Sequence, residues 1–499
     1  MLPGILPIKV RLSWLAALLL LLNACVNPVG PDYQRPEIDK PASLPHHPEQ
    51  TETKSMADLP WWGVFRDKTL QQLIKSAVAN NYDLRATVQR IEQSDALARQ
   101  AQSQLFPQIG YQVGLSNGKN SYFGMAAPFL RGESVSPIVT ALNMSWELDI
   151  WGRIRRSTEA GYADMLASQE FRRGIMLSLV SSVAQAYFEL LQLELRLAIA
   201  KKTTQSFDGS LQIFTQRLQF GVASKLETDR ALSAKAQVAA HIPDLERQIL
   251  VKENQINLLL GRNSGTIKRD IGLLQQELPV QIPAGLPSAL LERRPDLRQA
   301  EQQLIAANAR IGVARSLFFP KLGLTAILGR TSLELSGFTA GTSNLYGAFL
   351  SLAGPIFQGG MLMAQHDQAI AAYAQAELEY KQAALNAFKE VDNALINSEK
   401  LSEIKKQQTI ATEALEDAVT VALERYVAGK ASYYEVLEAQ QQLYPTQVAL
   451  TETELMQRTV IIQLYKALGG GWKFSDQEWL EAEAGKNVET TTDEGKMHE

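Results

Sequence analysis

Two periodicities divide the chain. Ile109, Tyr111, Val113 and Leu115 alternate with Gly110, Gln112 and Gly114, and Leu142, Met144, Trp146 and Leu148 alternate with Asn143, Ser145, Glu147 and Asp149. A period of two puts one set on each face of a β-strand. Leu322, Leu324, Ala326 and Leu328, then Tyr346, Ala348, Leu350 and Leu352, repeat the pattern. Strands are therefore predicted at about 108–117, 138–150, 320–330 and 343–356. Elsewhere the pattern is helical. Gly360 and Gly429 enclose 68 residues without glycine or proline, rich in Ala, Gln, Glu, Lys and Leu, which favours a helix about 100 Å long. Ser432–Leu468 and Pro295–Leu317 read as helices of about 55 and about 33 Å. Pro243 and Pro445 are expected to kink the returning helices.

These elements occur twice. Asp83-Leu84-Arg85 and Phe106-Pro107 recur 213 positions on as Asp296-Leu297-Arg298 and Phe319-Pro320, while Arg217, Gly221, Ser224 and Gly261 recur 208 positions on as Arg425, Gly429, Ser432 and Gly469. Markers at constant offset identify a tandem duplication. Each half is one long helix folded at a glycine turn against two shorter ones, with two strands between the short helix and the long one.

Strands of roughly ten residues suit a tilted bilayer crossing. Four strands close no barrel, and hydrocarbon tolerates no open sheet edge, so on this reading chains pool their strands. The alternative is an exposed sheet capping a soluble coiled-coil rod.

The amino terminus bears on that choice. Lys9 and Arg11 precede an apolar run from Leu12 to Leu22, then Asn23, Ala24 and Cys25; residues 1–24 read as a signal peptide. Leu22-Asn23-Ala24-Cys25 resembles a bacterial lipobox, so lipidation is expected at Cys25, the only cysteine, and several acyl chains anchor durably. Val26 follows, not the aspartate that tends to retain lipoproteins at the inner membrane; outer-membrane delivery is expected. No later uninterrupted apolar stretch of about 18 residues offers a second spanning helix. The expected organisation is a lipid-anchored extended segment at 25–60, first repeat at 61–270, second repeat at 271–472 and a mobile tail at 473–499.

Composition narrows the chemistry. A net charge of -4 over 499 residues gives no reason to expect a nucleic-acid partner. His46, His47, His241, His366 and His498 show no metal-ligand spacing beyond one adjacent pair, and no phosphate loop or nucleophile elbow is present. No cofactor, metal or catalytic residue is expected, and the chain is not read as an enzyme.

The residues resemble the TolC-family outer-membrane efflux proteins, most closely the OprM-like lipoproteins that serve resistance-nodulation-division (RND) pumps. The resemblance rests on Gly30-Pro31-Asp32-Tyr33-Gln34-Arg35-Pro36, on Trp62, Phe65 and Asp67 ahead of Leu70–Ile74, on Arg293–Leu297, Phe318-Phe319-Pro320, and Tyr465–Trp472. It implies an α+β membrane protein, internally duplicated: a homotrimer whose 12-stranded β-barrel takes four strands per chain and continues as a long α-helical barrel. Outer-membrane lipid, a periplasmic adaptor protein and an inner-membrane RND transporter are the implied partners, with drugs or toxic compounds passing through the duct.

The functional residues of a passive duct are those that narrow and charge its lumen. Tyr434 and Glu438 lie four apart, on one helical face, and the resemblance puts that face at the periplasmic constriction; Glu227, Asp229 and Arg230 occupy the matching turn of the first half. Related proteins carry an Arg where this chain has Gln441, so a latch using that Arg is not expected. Arg217, Gly221, Ser224, Arg425, Gly429 and Ser432 form the candidate adaptor-docking turns, with the two arginines docking the adaptor or capping helix ends. Two competing functions use the same features: the exit channel of a type I secretion system, and a lipid-anchored coiled-coil tether without a pore.

Overall fold

The computed structural model describes residues 28–39, 55–115, 118–119, 134–135, 138–276, 289–332 and 335–471. The signal peptide, Cys25 and the tail at 473–499 lie outside the described residues. Two compact units share the chain: Met1–Glu37, Gln89–Gln169 and Gln299–Lys381 make the first, and Ile38–Val88, Glu170–Arg298 and Gln382–Glu499 the second.

The helices are α1 (Trp61–Val64), α2 (Lys68–Asn80), α3 (Tyr82–Ser103), α4 (Arg153–Gln219), α5 (Lys225–Leu259), α6 (Leu290–Arg293), α7 (Pro295–Ser316), α8 (Met361–Val427) and α9 (Tyr433–Ala467). The duplication is visible in their bounds. From α3 to α7 both ends shift by 213 positions, and from α4 to α8 and α5 to α9 both ends shift by 208. With 67 residues each, α4 and α8 are about 100 Å long. Pro243 and Pro445 sit inside α5 and α9 without ending them.

The first unit holds an antiparallel sheet of β1 (Gln108–Leu115), β4 (Ile138–Leu148), β5 (Lys321–Ser332) and β6 (Asn344–Ala353) in the order β1-β4-β5-β6. Between β1 and β4 lies a two-residue ladder that the periodicity did not disclose, β2 (Gly118–Lys119) with β3 (Ser134–Val135). Pairing aligns the apolar positions into rows. Tyr111 faces Leu142, Leu142 faces Leu328, and Leu328 faces Tyr346; Trp146, Leu324 and Leu350 make another row, and Leu148, Leu322 and Leu352 a third. The opposite face is mixed: Gln108, Gln112, Asn143, Ser145, Glu147, Thr325 and Ser351 lie there with glycines and with Val139, Ile327, Leu345 and Phe349.

Strand ends depart from the predicted ranges for local reasons. β4 stops at Leu148 because Asp149 turns back to accept the backbone N–H groups of Ile154 and Arg155, both at 2.9 Å, and so starts α4. β6 stops before Gly354-Pro355, since proline has no N–H to give the ladder; β5 begins after Pro320 and runs on to Ser332. Indoles fasten these junctions: Trp146 Nε1 donates to the Leu105 carbonyl at 2.9 Å, and Trp151 Nε1 donates to that of Pro320 at 2.7 Å while stacking on Phe319 at 4.7 Å. The amino-terminal segment is docked here too, through Val29 N to Trp151 O (2.9 Å), Asn308 Nδ2 to Pro31 O (2.9 Å), and Arg35 with Glu301.

The second unit is organised by a core that includes Trp61, Leu70 and Ile74, then Tyr187, Leu190 and Leu191 of α4, Leu245 and Ile256 of α5, and Leu464 and Tyr465 of α9. One stretch of α4 is long and apolar enough to pass as a membrane span by composition, yet 67% of it is buried; its apolarity serves this core. At the core's edge Asp67 Oδ1 caps α2 by accepting the N–H of Thr69 (2.7 Å) and Leu70 (3.2 Å), while Oδ2 accepts from Tyr187 Oη (2.9 Å) and Gln276 Nε2 (2.6 Å). That carboxylate joins three segments, which gives the Asp67 of the family resemblance a structural reason.

Candidate gate and docking turns

The turns between α4 and α5 and between α8 and α9 are built alike. Each long helix ends in a Schellman cap: Val222 N donates to Arg217 O (2.8 Å) and Gly221 N to Leu218 O (2.9 Å), and 208 positions later Lys430 N donates to Arg425 O (2.8 Å) and Gly429 N to Tyr426 O (3.0 Å). That cap needs a left-handed residue, and Gly221 and Gly429 supply it at φ 71 and 70°. The glycines used as repeat markers are thus the points where each hairpin folds.

The helices leaving the turns start differently. Ser432 and Glu435 form a capping box, with Ser432 N donating to Glu435 Oε1 at 3.0 Å. In the first turn Ser224 Oγ reaches Glu227 Oε1 at 3.5 Å, as Ser432 Oγ reaches Glu435 Oε1 at 3.4 Å, and what the second turn adds is the bond from the serine's own N–H. Glu227 is drawn toward Tyr426 instead. Burial pushes the Tyr426 phenol above its ordinary value; Arg217 opposes that, and a hydrogen bond with Glu227 adds to it.

Within the second unit the two hairpins are fastened by contacts that the sequence reading missed. The ring of Phe214 meets Tyr426 edge-on at 5.0 Å and Tyr433 at 6.3 Å. Arg217 lies over the Tyr426 ring, 4.7 Å from its centroid, and donates to the Tyr426 carbonyl at 3.3 Å. Arg230 Nη1 donates to Tyr433 Oη at 3.0 Å. Further along, buried Gln440 donates to Ser206 Oγ at 2.9 Å and accepts from Ser210 Oγ at 3.2 Å. Arg217 therefore clasps the second hairpin, whereas Arg425 donates to the Lys430 carbonyl of its own turn, at 3.4 Å.

Of the predicted constriction residues, Tyr434 and Glu438 are exposed on one side of α9, the tyrosine at 53%, and Glu438 accepts from Gln442 at 3.3 Å. Asp229 and Arg230 are exposed and Glu227 half-buried. The structure thus joins Arg230 to Tyr433, the neighbour of the predicted Tyr434. Arg425, Tyr426, Lys430, Tyr433 and Tyr434, aromatic and basic residues gathered within ten positions, were the available signal. Among the described residues no group of three or more His, Cys, Asp or Glu side chains is arranged to hold a metal.

The chain thus combines duplicated helical hairpins and a four-stranded antiparallel sheet. The chain belongs to the outer membrane efflux protein family, whose profile matches it twice, at residues 73–262 and 286–470. The two matches begin 213 and end 208 positions apart, the offsets found between the repeats. The cation efflux system protein CusC of Escherichia coli O6:H1 is 32% identical over 459 residues, 91% of this chain and 97% of that one. The toluene efflux pump outer membrane protein TtgF of Pseudomonas putida is 33% identical over 468 residues, 91% of this chain and 96% of that one. Among solved structures, a membrane protein from Pseudomonas aeruginosa superposes with a TM-score of 0.81 at 30% identity, covering 89% of this chain and all of that one.

Proposed function

We propose that three copies of this chain form the exit duct of a tripartite efflux pump. Their four-stranded sheets close a 12-stranded barrel in the outer membrane, the helices continue it as a periplasmic tunnel, and solutes delivered by an RND transporter and its adaptor leave through it passively. One observation carries this reading: the sheet of an outer membrane efflux protein has an apolar face and two unpaired edges, β1 and β6, and a lone sheet with open edges is not stable in hydrocarbon. Cys25 carries the lipid that holds the assembly at the membrane.

The hairpin turns form the closable, adaptor-facing end. Gly221, Ser224, Gly429 and Ser432 shape the docking surface with Arg425, while Arg217 stiffens it from within. Glu227, Asp229, Arg230, Tyr434 and Glu438 narrow and charge the opening, each repeated three times around the axis. The relatives named above export a cation in one case and toluene in the other, so the shared duct sets little of the selectivity; the transporter chooses the substrate.

Electron microscopy of the detergent-extracted mature protein, with conductance recorded in planar bilayers, tests this. Three-fold particles that conduct ions are expected. A monomer, or a rod that conducts nothing, overturns the duct in favour of a tether.

A further inference from the structure

The duplication assigns the residues that meet where two copies join. This rests on the trimeric barrel proposed above and goes further, to the register of the seam between β6 of one copy and β1 of the next.

Both hairpins of the sheet obey the repeat offsets. Tyr111 pairs with Leu142 in the first hairpin; 213 positions after Tyr111 is Leu324, 208 after Leu142 is Leu350, and Leu324 pairs with Leu350 in the second. The pair β4–β5 joins the first repeat to the second. Its counterpart, joining the second repeat to a first repeat, is absent within one chain because β6 and β1 are the two edges. We infer that the seam is that counterpart, with the β4–β5 register carried over by the same offsets.

The transfer is explicit. Leu142 faces Leu328, so Leu350 faces Leu115 of the neighbouring copy. Likewise Asn143 with Ile327 becomes Ser351 with Gly114, and Met144 with Ala326 becomes Leu352 with Val113; the pairing ends with β6 at Ala353. The seam rows are chemically matched. Leu115 and Val113 are exposed aliphatics in the protomer, as are Leu350 and Leu352, whereas the alternate positions Gly114, Gln112, Ser351 and Ala353 are small or polar.

Two physical constraints single out this register. A shift of one residue turns every apolar side chain of one partner to the wrong face. A shift of two keeps the faces but breaks the stagger, and a closed barrel links stagger to strand tilt. Crossing from Tyr111 through Leu142 arrives at Leu328, four residues beyond the repeat equivalent Leu324. The inferred seam continues this: from Leu324 through Leu350 it arrives at Leu115, again four residues beyond Tyr111.

Disulfide trapping tests the register, because Cys25 is the only native cysteine. Directly paired residues lie about 4.5–5.5 Å apart at Cα, within disulfide reach. The pairs Leu115→Cys/Leu350→Cys and Gly114→Cys/Ser351→Cys sample adjacent positions, one of each hydrogen-bonding class. Outer membranes holding each pair are oxidised and run on non-reducing gels, beside Leu115→Cys/Ala348→Cys, Leu115→Cys/Leu352→Cys and each single variant. Covalent trimers from both inferred pairs, with at least a ten-fold lower yield from the displaced pairs and the singles, are expected. Trapping at a displaced pair overturns the register and leaves the trimer standing, as does a trimeric native mass without trapping at either inferred pair. A monomeric native mass for the unmodified protein overturns both.

Discussion

In the proposed duct, removing one hydroxyl from Tyr433 should make the adaptor-facing end easier to open. Arg230 of α5 donates to that hydroxyl at 3.0 Å, and the contact ties the first hairpin to the second beside the turns. Tyr433→Phe keeps the ring, hence its packing on Phe214, and deletes only the acceptor. A hydrogen bond to a charged donor is stronger than average, but Arg230 is exposed, so the bond contributes about 0.5–1 kcal/mol per protomer. If the three protomers open together, the closed state loses about 1.5–3 kcal/mol, roughly a ten- to 150-fold rise in the open-to-closed ratio. Independent opening gives only about two- to five-fold. Single-channel recording in planar bilayers reads this ratio directly, with Tyr162→Phe as the control, since Tyr162 is an exposed tyrosine of α4 outside the turns. An unchanged open fraction in a correctly trimeric Tyr433→Phe protein would refute the view that this bond holds the end shut.

Replacing Tyr434 and Glu438 together by Ala should raise single-channel conductance and opening frequency, because both project from α9 at the proposed opening; unaltered conductance would remove them from the constriction. Asp67→Ala should cost about 3–5 kcal/mol, a lost helix cap plus the buried Tyr187 and Gln276 donors left without an acceptor. Tyr187→Phe in that background should restore about 1–2 kcal/mol by removing one of those donors, which a double-mutant cycle of chemical denaturation in detergent measures. Gly261→Ala should destabilise more than Gly221→Ala: both need a left-handed backbone, but a Cβ at 261 would lie 2.4 Å from the Asn80 carbonyl oxygen while one at 221 meets nothing within 4 Å. Equal thermal shifts for the two would contradict the packing argument.

Element type and repetition were legible because they rest on local rules. Alternation marks a strand whatever it packs against, and a glycine-free, proline-free run can hardly be other than helix. What escaped depends on neighbours distant in sequence. The face shared by Tyr434 and Glu438 was readable at four-residue spacing, but not that Tyr433 is the residue another hairpin reaches. That Arg217 also lies over the Tyr426 ring, 209 positions away, could not be read from its place before the turn. β4 was drawn two residues too long because nothing in a period of two says that Asp149 will cap the helix that follows. Asp67 was recognisable only as part of a resemblance until Tyr187 and Gln276 were seen to share its carboxylate.

The two repeats keep one fold with unequal electrostatics, and acid should expose the difference. At the end of α5, Asn81 Nδ2 donates to the Leu259 carbonyl at 2.9 Å; in the second repeat the equivalent donor is Arg294 Nη1, on the Ala467 carbonyl at 2.8 Å. Both satisfy a helix-end carbonyl, but the guanidinium then needs Asp296 and Glu390, each at 2.7 Å. Arg458 of α9, where the first repeat has Leu250, is likewise buried with Glu454 at 2.7 Å, and Lys405 completes the cluster. Burial alone would raise the Glu454 carboxyl, but its bonds to Lys405 and Arg458 outweigh that and hold it below the usual glutamate range. A lowered folded-state pKa gives stability that is fully present above the unfolded value, about 4.3, and lost as pH falls through the folded value. Below about pH 4.3 amide protection should therefore fall in α9 before it falls in α5, and Glu454→Gln should start lower at neutral pH and lose less on acidification. Hydrogen exchange corrected for intrinsic rates resolves the two helices; simultaneous loss in both, or an unaltered acid response in Glu454→Gln, would place the acid-sensitive charge elsewhere.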